Sequence, residues 1–405
     1  MEPAWRSRVA VGALMPDEFV PMSVQDYSKN ALATDLRREA ESLNFPLLGL
    51  FGEVGSLLAE VKKKQRDPIS YRAYAAAVTE ELGDVLWYLN LVAARGGFSF
   101  AEIVTNLAHD GDDWQSESGE PITFQALQPP VLTTMLTPSK AFEATLIELA
   151  AQVGLLLADH LEEDLHRDHR RLGSRLVAIL EILIRASNEA GVTLEAAAVK
   201  NATKTTDRWP TQKEYPKLFD AGFPPEEQLP RSIKISIFER DVGGKRYVFQ
   251  TCNGLNIGDR LTDNAMKQDD YRFHDVFHYA YVAILGWSPV TRSLFRLKRK
   301  SAPLIDEAQD GARAALIEEG VTTWIFGQAV EMDFFKGVKN GELPFNILKQ
   351  IKQFVAGYEA EQCPDWLWED AILQGYAAFR YLREHRRGTI ILDTERRELK
   401  IEPLP

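Results

Sequence analysis

A chain of 405 residues, 45% of them hydrophobic, is long enough for two or three globular domains, and no apolar run stands out as long enough to span a bilayer. The formal net charge of −12 speaks against a nucleic-acid coat, which needs a basic field, and is compatible with sites that hold divalent cations. Two cysteines, Cys252 and Cys363, exclude a disulfide framework and a zinc–thiolate centre; with no signal-peptide core at the start, a cytoplasmic location and no membrane partner are expected.

Residues 1–21 read as an N-terminal extension. Leu47, Leu50, Phe51, Val54, Leu57, Leu58 and Val61 then recur at three- and four-residue steps, which predicts a helix that ends near Asp67-Pro68. Val78, Leu82, Val85, Leu86, Leu89 and Val92 predict a second helix, stopped by Gly96-Gly97. The Gly-, Ser-, Pro- and Thr-bearing stretch that follows reads as a loop, with 116–139 as a linker between segments 22–115 and 140–215. Helical patterns return at 140–160 and 170–190.

The second helical segment repeats the first. LFGEVGSLLAEV (50–61) parallels LAAQVGLLLADH (149–160), and the step from Asn106 to Trp114 equals that from Asn201 to Trp209. Helix pairs of this length cannot each bury a core alone, so the two are expected to pack against each other as a tandem pseudo-dimer. From 216 to 405 the texture is that of an α+β domain. Residues 232–250 predict a hairpin turning at Gly243-Gly244. Helical patterns lie at 270–286, 306–330, 344–362 and 366–385. A terminal hairpin, GTIILDTERRELKIEP, is expected to pair with the first, because isolated hairpins are marginal in water.

Carboxylates carry the chemistry. Glu53 and Glu60, seven apart, share one helix face, and Glu81 and Asp84, three apart, share a face of the next helix. In an antiparallel pair these acids converge, repel one another and call for a cation, and oxygen ligands suit Mg²⁺ or Mn²⁺.

GLFGEVGSLLAEVKK followed by EELGDVLWYL resembles the MazG-like family of all-α nucleoside-triphosphate pyrophosphohydrolases, whose signature is E-x-x-E, a gap, then E-x-x-D. DYSKNALATDL (26–36) resembles the family's first helix, and KNATKTTDRWP (200–210) its closing N-x-x-K…R-P element. The resemblance implies a helical bundle, Mg²⁺, and cleavage of a nucleoside triphosphate to the monophosphate and pyrophosphate. By motif position it makes Glu53, Glu81 and Asp84 the metal ligands and catalytic acids. The second acid of E-x-x-E is replaced by Ser56, whose hydroxyl, or Glu60 one turn on, is the candidate substitute ligand.

The two repeats keep complementary parts. Glu53, Ser56, Glu81 and Asp84 fall opposite Gln152, Leu155, Arg175 and Ala178, so the second repeat has no acidic site. Asn201, Lys204 and Arg208 fit the closing element, whereas the first repeat has His109 and Asp113 in place of its cations and should tolerate alanine there. One composite site is therefore expected, with acids from the first repeat and substrate-binding Asn201, Lys204 and Arg208 from the second. Not being ligands, the two cations are expected to leave metal affinity unchanged when removed. Trp87 and Tyr88 are candidates to stack on a base, with core packing competing for at least one of them.

In the C-terminal domain, His274 and His278 stand one helical turn apart and Glu318 is a candidate third ligand of a second metal site, against the competing reading of satisfied, partly buried histidines. The segment resembles the C-terminal extension of some MazG-like proteins, to which no activity is attached. The run Arg292, Arg296, Lys298, Arg299, Lys300 reads as a solvated face. The sequence thus points to an enzyme acting on a nucleoside triphosphate, with dUTPase-like or alarmone-directed hydrolysis as neighbours and a non-hydrolysing nucleotide sensor as the competing class. Nucleic acid is not expected as a partner, and homo-oligomerisation is left open.

Overall fold

The apolar stripes of the N-terminal half become packed helices in the computed structural model, which describes residues 21–37, 42–107, 113–117, 119–129, 135–162 and 168–404. The chain divides into two compact units, Met1–Thr206 and Asp207–Pro405.

The first unit opens with α1 (Val24–Ala33), whose N-cap Ser23 accepts from the backbone of Asp26 at 3.0 Å. Helices α2 (Asn44–Arg66) and α3 (Tyr74–Arg95) form a packed pair, followed by the short α4 (Phe100–Leu107). The region expected to be a linker holds one turn of helix, α5 (Phe124–Leu127), anchored by buried Phe124. A second pair, α6 (Lys140–Leu161) and α7 (His169–Ala190), leads into α8 (Leu194–Arg208). Helix α6 packs on α2 as well as α7, and α3 and α4 both reach α7. Leu50, Val54 and Leu57 of α2, Leu82, Val85 and Leu89 of α3, Leu149 and Val153 of α6, and Leu176 and Leu183 of α7 thus share one core. At about 25 cal/mol per Å² of apolar area, such shared burial is the main force joining the pairs.

One expectation of composition fails here. Helix α6, 22 residues long, is long and apolar enough by itself to cross a membrane. Its residues Phe142, Leu146, Leu149, Val153 and Leu156 belong to the bundle core, while Ile147, Leu155 and Leu161 of the same helix are exposed.

Two glycines set close approaches. A Cβ on Gly83 of α3 would lie 2.5 Å from the carbonyl oxygen of Ala197 on α8, so only glycine lets these helices touch. A Cβ on Gly49 would fall on the Tyr88 ring.

The second unit is built on a five-stranded antiparallel sheet in the order β3-β2-β1-β4-β5. Strands β1 (Ser232–Val242), β2 (Lys245–Cys252) and β3 (Leu255–Asn256) form its first part, and β4 (Arg387–Asp393) and β5 (Glu398–Glu402) the terminal hairpin. The two hairpins do pair, with β1 against β4 in the register Ile235↔Ile390. Helix α9 (Asp275–Ala280) runs into a π turn over Tyr281–Leu285, and α10 (Pro289–Phe295), α11 (Pro303–Ala308), α12 (Ala312–Glu331), α13 (Phe345–Phe354) and α14 (Asp365–His385) follow. Helix α14 packs on α9 and on both strands of the terminal hairpin.

The basic run is not a solvated face throughout. Arg296 and Lys300 are exposed and Lys298 is half-buried, but Arg292 and Arg299 are buried. Arg299 reaches Asp310 at 2.7 Å and Glu359 at 2.8 Å, and Arg292 reaches Asp220 at 2.8 Å. Three acids distant in sequence make these arginines internal struts.

Candidate active site

Helix α2 supplies Glu53, and α3 supplies Glu81 and Asp84. One carboxylate oxygen from each lies within 4.8 Å of the others, and all three side chains are half-buried. The helical spacing that places Glu81 and Asp84 on one face also turns the apolar residues Leu82, Val85 and Leu86 inward, so the acids are held at the rim of the core. Burial and the neighbouring Asp84 charge raise the pKa of Glu53, while Lys204 and a hydrogen bond with Glu81 pull it back.

The cations and amides come from α8. Asn201 donates to Asp84 Oδ1 at 2.8 Å, and Lys204 Nζ stands 2.6 Å from the same oxygen and also contacts Oδ2. These partners lie 117 and 120 residues from Asp84 in the chain. Acids of the first helical segment thus meet donors of the second within one unit. Tyr27 of α1 donates to Asn201 Oδ1 at 3.2 Å, completing a line from Tyr27 through Asn201 to Asp84. Burial and then Asp84 raise the Tyr27 pKa well above its usual value, so the hydroxyl stays a donor.

Sequence reasoning overlooked Tyr27 and a second neighbour, Glu80. Glu80 lies 3.7 Å from both Lys200 and Lys204 and adds to the charge felt by Glu53. The adjacent acid pair at 80–81 is the only hint of it in the chain. Tyr88 was offered jointly with Trp87, and the structure separates them. Trp87 is buried and donates its indole N–H to Thr34 Oγ1 at 3.2 Å, which leaves it in the core and unable to stack on a substrate. Half-buried Tyr88 feels Glu53 and Asp84, which add to burial in raising its pKa to about 12.

Other expected members of the site are engaged elsewhere. Glu60 is buried and takes Lys63 at 2.5 Å and the Tyr71 hydroxyl, so it does not join the acid cluster. Ser56 is half-buried one turn beyond Glu53. Arg208, the last residue of α8, counts with the C-terminal unit, where it is buried and its guanidinium donates to the carbonyls of Gly341 and Leu343. Both bonds come from Nη2 and hold the side chain within the C-terminal unit. Asp113 is exposed, and His109 lies outside the described residues.

The second helix pair carries an ion pair and no acid cluster among the described residues. Asp159, at the position equivalent to Glu60, bonds to Arg175 Nε at 2.8 Å and to Arg171. Burial works against its charge, yet these two arginines lower its pKa. Arg175, which aligns with Glu81 in sequence, is thus engaged in an ion pair rather than offering an acid.

In the C-terminal unit, His274, Asp275 and His278 each bring one ligand atom within 4.8 Å of the others. Glu318 is fully buried and takes His278 Nδ1 at 2.7 Å, which puts it behind the imidazole rather than beside His274. Burial opposes a charge on His278, but Glu318 and Glu319 outweigh it and raise the pKa well above its ordinary value.

Comparison with known families agrees with this division of the chain. Residues 42–109, which contain Glu53, Glu81 and Asp84, match the MazG nucleotide pyrophosphohydrolase domain, and residues 214–405 match the MazG C-terminal domain. No curated protein and no solved structure matches the chain. The helices from 140 to 208 fall outside both matched regions, although they contribute Asn201 and Lys204. One matched domain carries the acids and the other fills the C-terminal unit, so the chain combines a MazG nucleotide pyrophosphohydrolase domain with a MazG C-terminal domain.

Proposed function

We propose that the protein is a Mg²⁺-dependent nucleoside triphosphate pyrophosphohydrolase, converting a (deoxy)nucleoside triphosphate and water to the monophosphate and pyrophosphate. The observation that carries this reading is the meeting of Glu53, Glu81 and Asp84 within 4.8 Å. Three half-buried carboxylates with a lysine pressed against one of them fit a hard divalent cation, because the cluster is an oxygen donor set with excess negative charge. Mg²⁺ or Mn²⁺ there would neutralise substrate phosphates and activate a water. The water's oxygen would attack the α-phosphorus, the α–β anhydride bond would break, and pyrophosphate would leave.

The chain's own part is positioning. Asn201, held by the Tyr27 hydroxyl, fixes the rotamer of Asp84 through Oδ1. Lys204 stands where a phosphate oxygen would replace Asp84 as its partner, so its charge would pass to the substrate as the acid turns to the metal. Tyr88, next to Glu53 and Asp84, offers an aromatic face at the rim for a base. The single site per chain would be composite, acids from one helix pair and donors from the helix following the other. Ser56 in place of a fourth acid favours a second reading, a nucleotide sensor with little turnover.

Product analysis decides between them. Purified protein, Mg²⁺ and a panel of nucleotides should yield monophosphate and pyrophosphate in equal amounts. Glu81→Gln should lower turnover by at least about a hundredfold, the scale of removing a preorganised transition-state contact, with the circular dichroism unchanged. Binding without products would favour the sensor, and wild-type turnover in Glu81→Gln would move the chemistry away from this cluster.

A further inference from the structure

We propose that the C-terminal domain holds a divalent transition-metal ion on His274 Nε2, His278 Nε2 and the Asp275 carboxylate, a site separate in chemistry from the all-oxygen acid cluster. One ring nitrogen of each histidine and one Asp275 oxygen lie within 4.8 Å of one another, the compactness one ion requires. Each ring is oriented from behind. His274 Nδ1 faces the Tyr271 carbonyl at 2.9 Å, and the ring stacks on Tyr271 at 4.4 Å. His278 Nδ1 faces Glu318 Oε1 at 2.7 Å. Both partners accept only, so Nδ1 carries the hydrogen and Nε2 is the position for a metal ion or a second proton. This is the carboxylate–histidine arrangement that fixes tautomer and ring orientation at metal centres.

The supports extend outward. Glu318, with no exposure, is itself held by Ser288 Oγ at 2.7 Å and by the backbone N–H of Val290 at 2.8 Å. Asp275 accepts from Gln250, whose own Oε1 accepts from the Tyr279 hydroxyl at 2.6 Å. A helix stabilised only by packing needs no such chain of buried polar groups.

The second, independent observation is His278 Nε2. The residue is 1% exposed, and this nitrogen, sealed from solvent, has no hydrogen-bond partner. The nearest acceptor, Glu319 Oε1, stands at 3.5 Å, too far to reward a proton with a normal hydrogen bond. Asp275 Oδ1 lies 3.2 Å from His274 Nε2 on the other side. A metal ion between these atoms satisfies the orphaned nitrogen, and Glu319, 41% exposed at the mouth, could join as a fourth ligand. Two imidazoles and a carboxylate select Zn²⁺ or a similar first-row ion over Mg²⁺, which prefers oxygen.

The test uses the full-length chain, freed of metal and then titrated with Zn²⁺ by calorimetry in millimolar Mg²⁺. Co²⁺ substitution reads the ligand field in the visible spectrum. One Zn²⁺ per chain is expected, kept in Glu81→Gln and weakened at least about a hundredfold in His274→Ala. Glu318→Gln, which leaves the ligands in place, should weaken it by about ten- to a hundredfold. Asp275→Asn serves as the ligand variant should His274→Ala lose its circular dichroism signal. No Zn²⁺ binding by the wild type, binding unchanged in the folded ligand variants, or binding lost in Glu81→Gln would each overturn the proposal.

Discussion

Replacing Lys204 by alanine should pull metal affinity and turnover in opposite directions. The ammonium sits 2.6 Å from Asp84 Oδ1 and 3.7 Å from Glu80, with the Lys204 and Asp84 side chains 22% and 15% exposed. Charges about 4 Å apart interact by roughly 1 kcal/mol in water and roughly 4 kcal/mol at an effective dielectric of 20. Partial exposure and the cost of holding a lysine keep the net effect near the low end, about 1.4 kcal/mol, or a factor of about ten. A metal ion competes with that lysine for Asp84. Lys204→Ala should therefore tighten Mg²⁺ or Mn²⁺ binding by about tenfold, which replaces the sequence-based expectation of unchanged affinity. Turnover should fall by roughly a hundredfold if Lys204 then grips a phosphate, since one such contact is worth about 2.7–4 kcal/mol. Mn²⁺ binding followed by electron paramagnetic resonance and steady-state pyrophosphate release measure the two quantities separately. Weaker metal binding, or kcat/KM at the wild-type value, would refute the reasoning.

Ser56→Glu adds an acid one turn from Glu53 and should tighten Mn²⁺ binding severalfold in the same titration; unchanged affinity would show that this turn does not face the ion. Arg299→Ala leaves half-buried Glu359 without its cation and buried Asp310 with Arg292 alone, 3.6 Å away, and should cost about 3 kcal/mol, read as a fall in the denaturation midpoint of the full chain. Asp365, buried and close to Asp207, has its pKa raised to about 6, with burial the larger cause. A raised carboxyl pKa means that stability falls as pH climbs from the ordinary carboxylate range through about 6, so Asp365→Asn should raise the midpoint by the equivalent of about 1–3 kcal/mol at pH 7–8 and not at about pH 4.

Local periodicity made much of the fold legible. The stripes around Leu50 and Leu82 became the cores of α2 and α3, and the two C-terminal hairpins met in one sheet. The acid cluster was legible because three- and seven-residue steps determine helix faces. Such steps do not reveal a third party. Glu60 shares the Glu53 face, but Tyr71, eleven residues on, claims its carboxylate. The same limit explains Arg292 and Arg299, whose partners Asp220, Asp310 and Glu359 are scattered along the chain. Arg208 was placed by motif position, and its bonds to Gly341 and Leu343 depend on a domain that the motif does not contain. Asn201 and Lys204 belong to the same closing motif, and the internal repeat pairs them with the acids of the first segment, a long-range signal that Glu80 and Tyr27 lack.

The separation of Asp84 from Lys204 by 120 residues has a consequence during synthesis. At roughly 5–20 residues per second, translation delivers the acids about 6–24 s before the lysine that neutralises one of them. For the first part of that interval the α2–α3 pair lacks α6 to cover its apolar side, and throughout it lacks α8 to balance its charge. A chain released before α8 would carry the whole E-x-x-D element and still lack both Asn201 and Lys204. Synthesis itself would thus withhold hydrolytic competence from the nascent chain until the helix closing the first unit has been made.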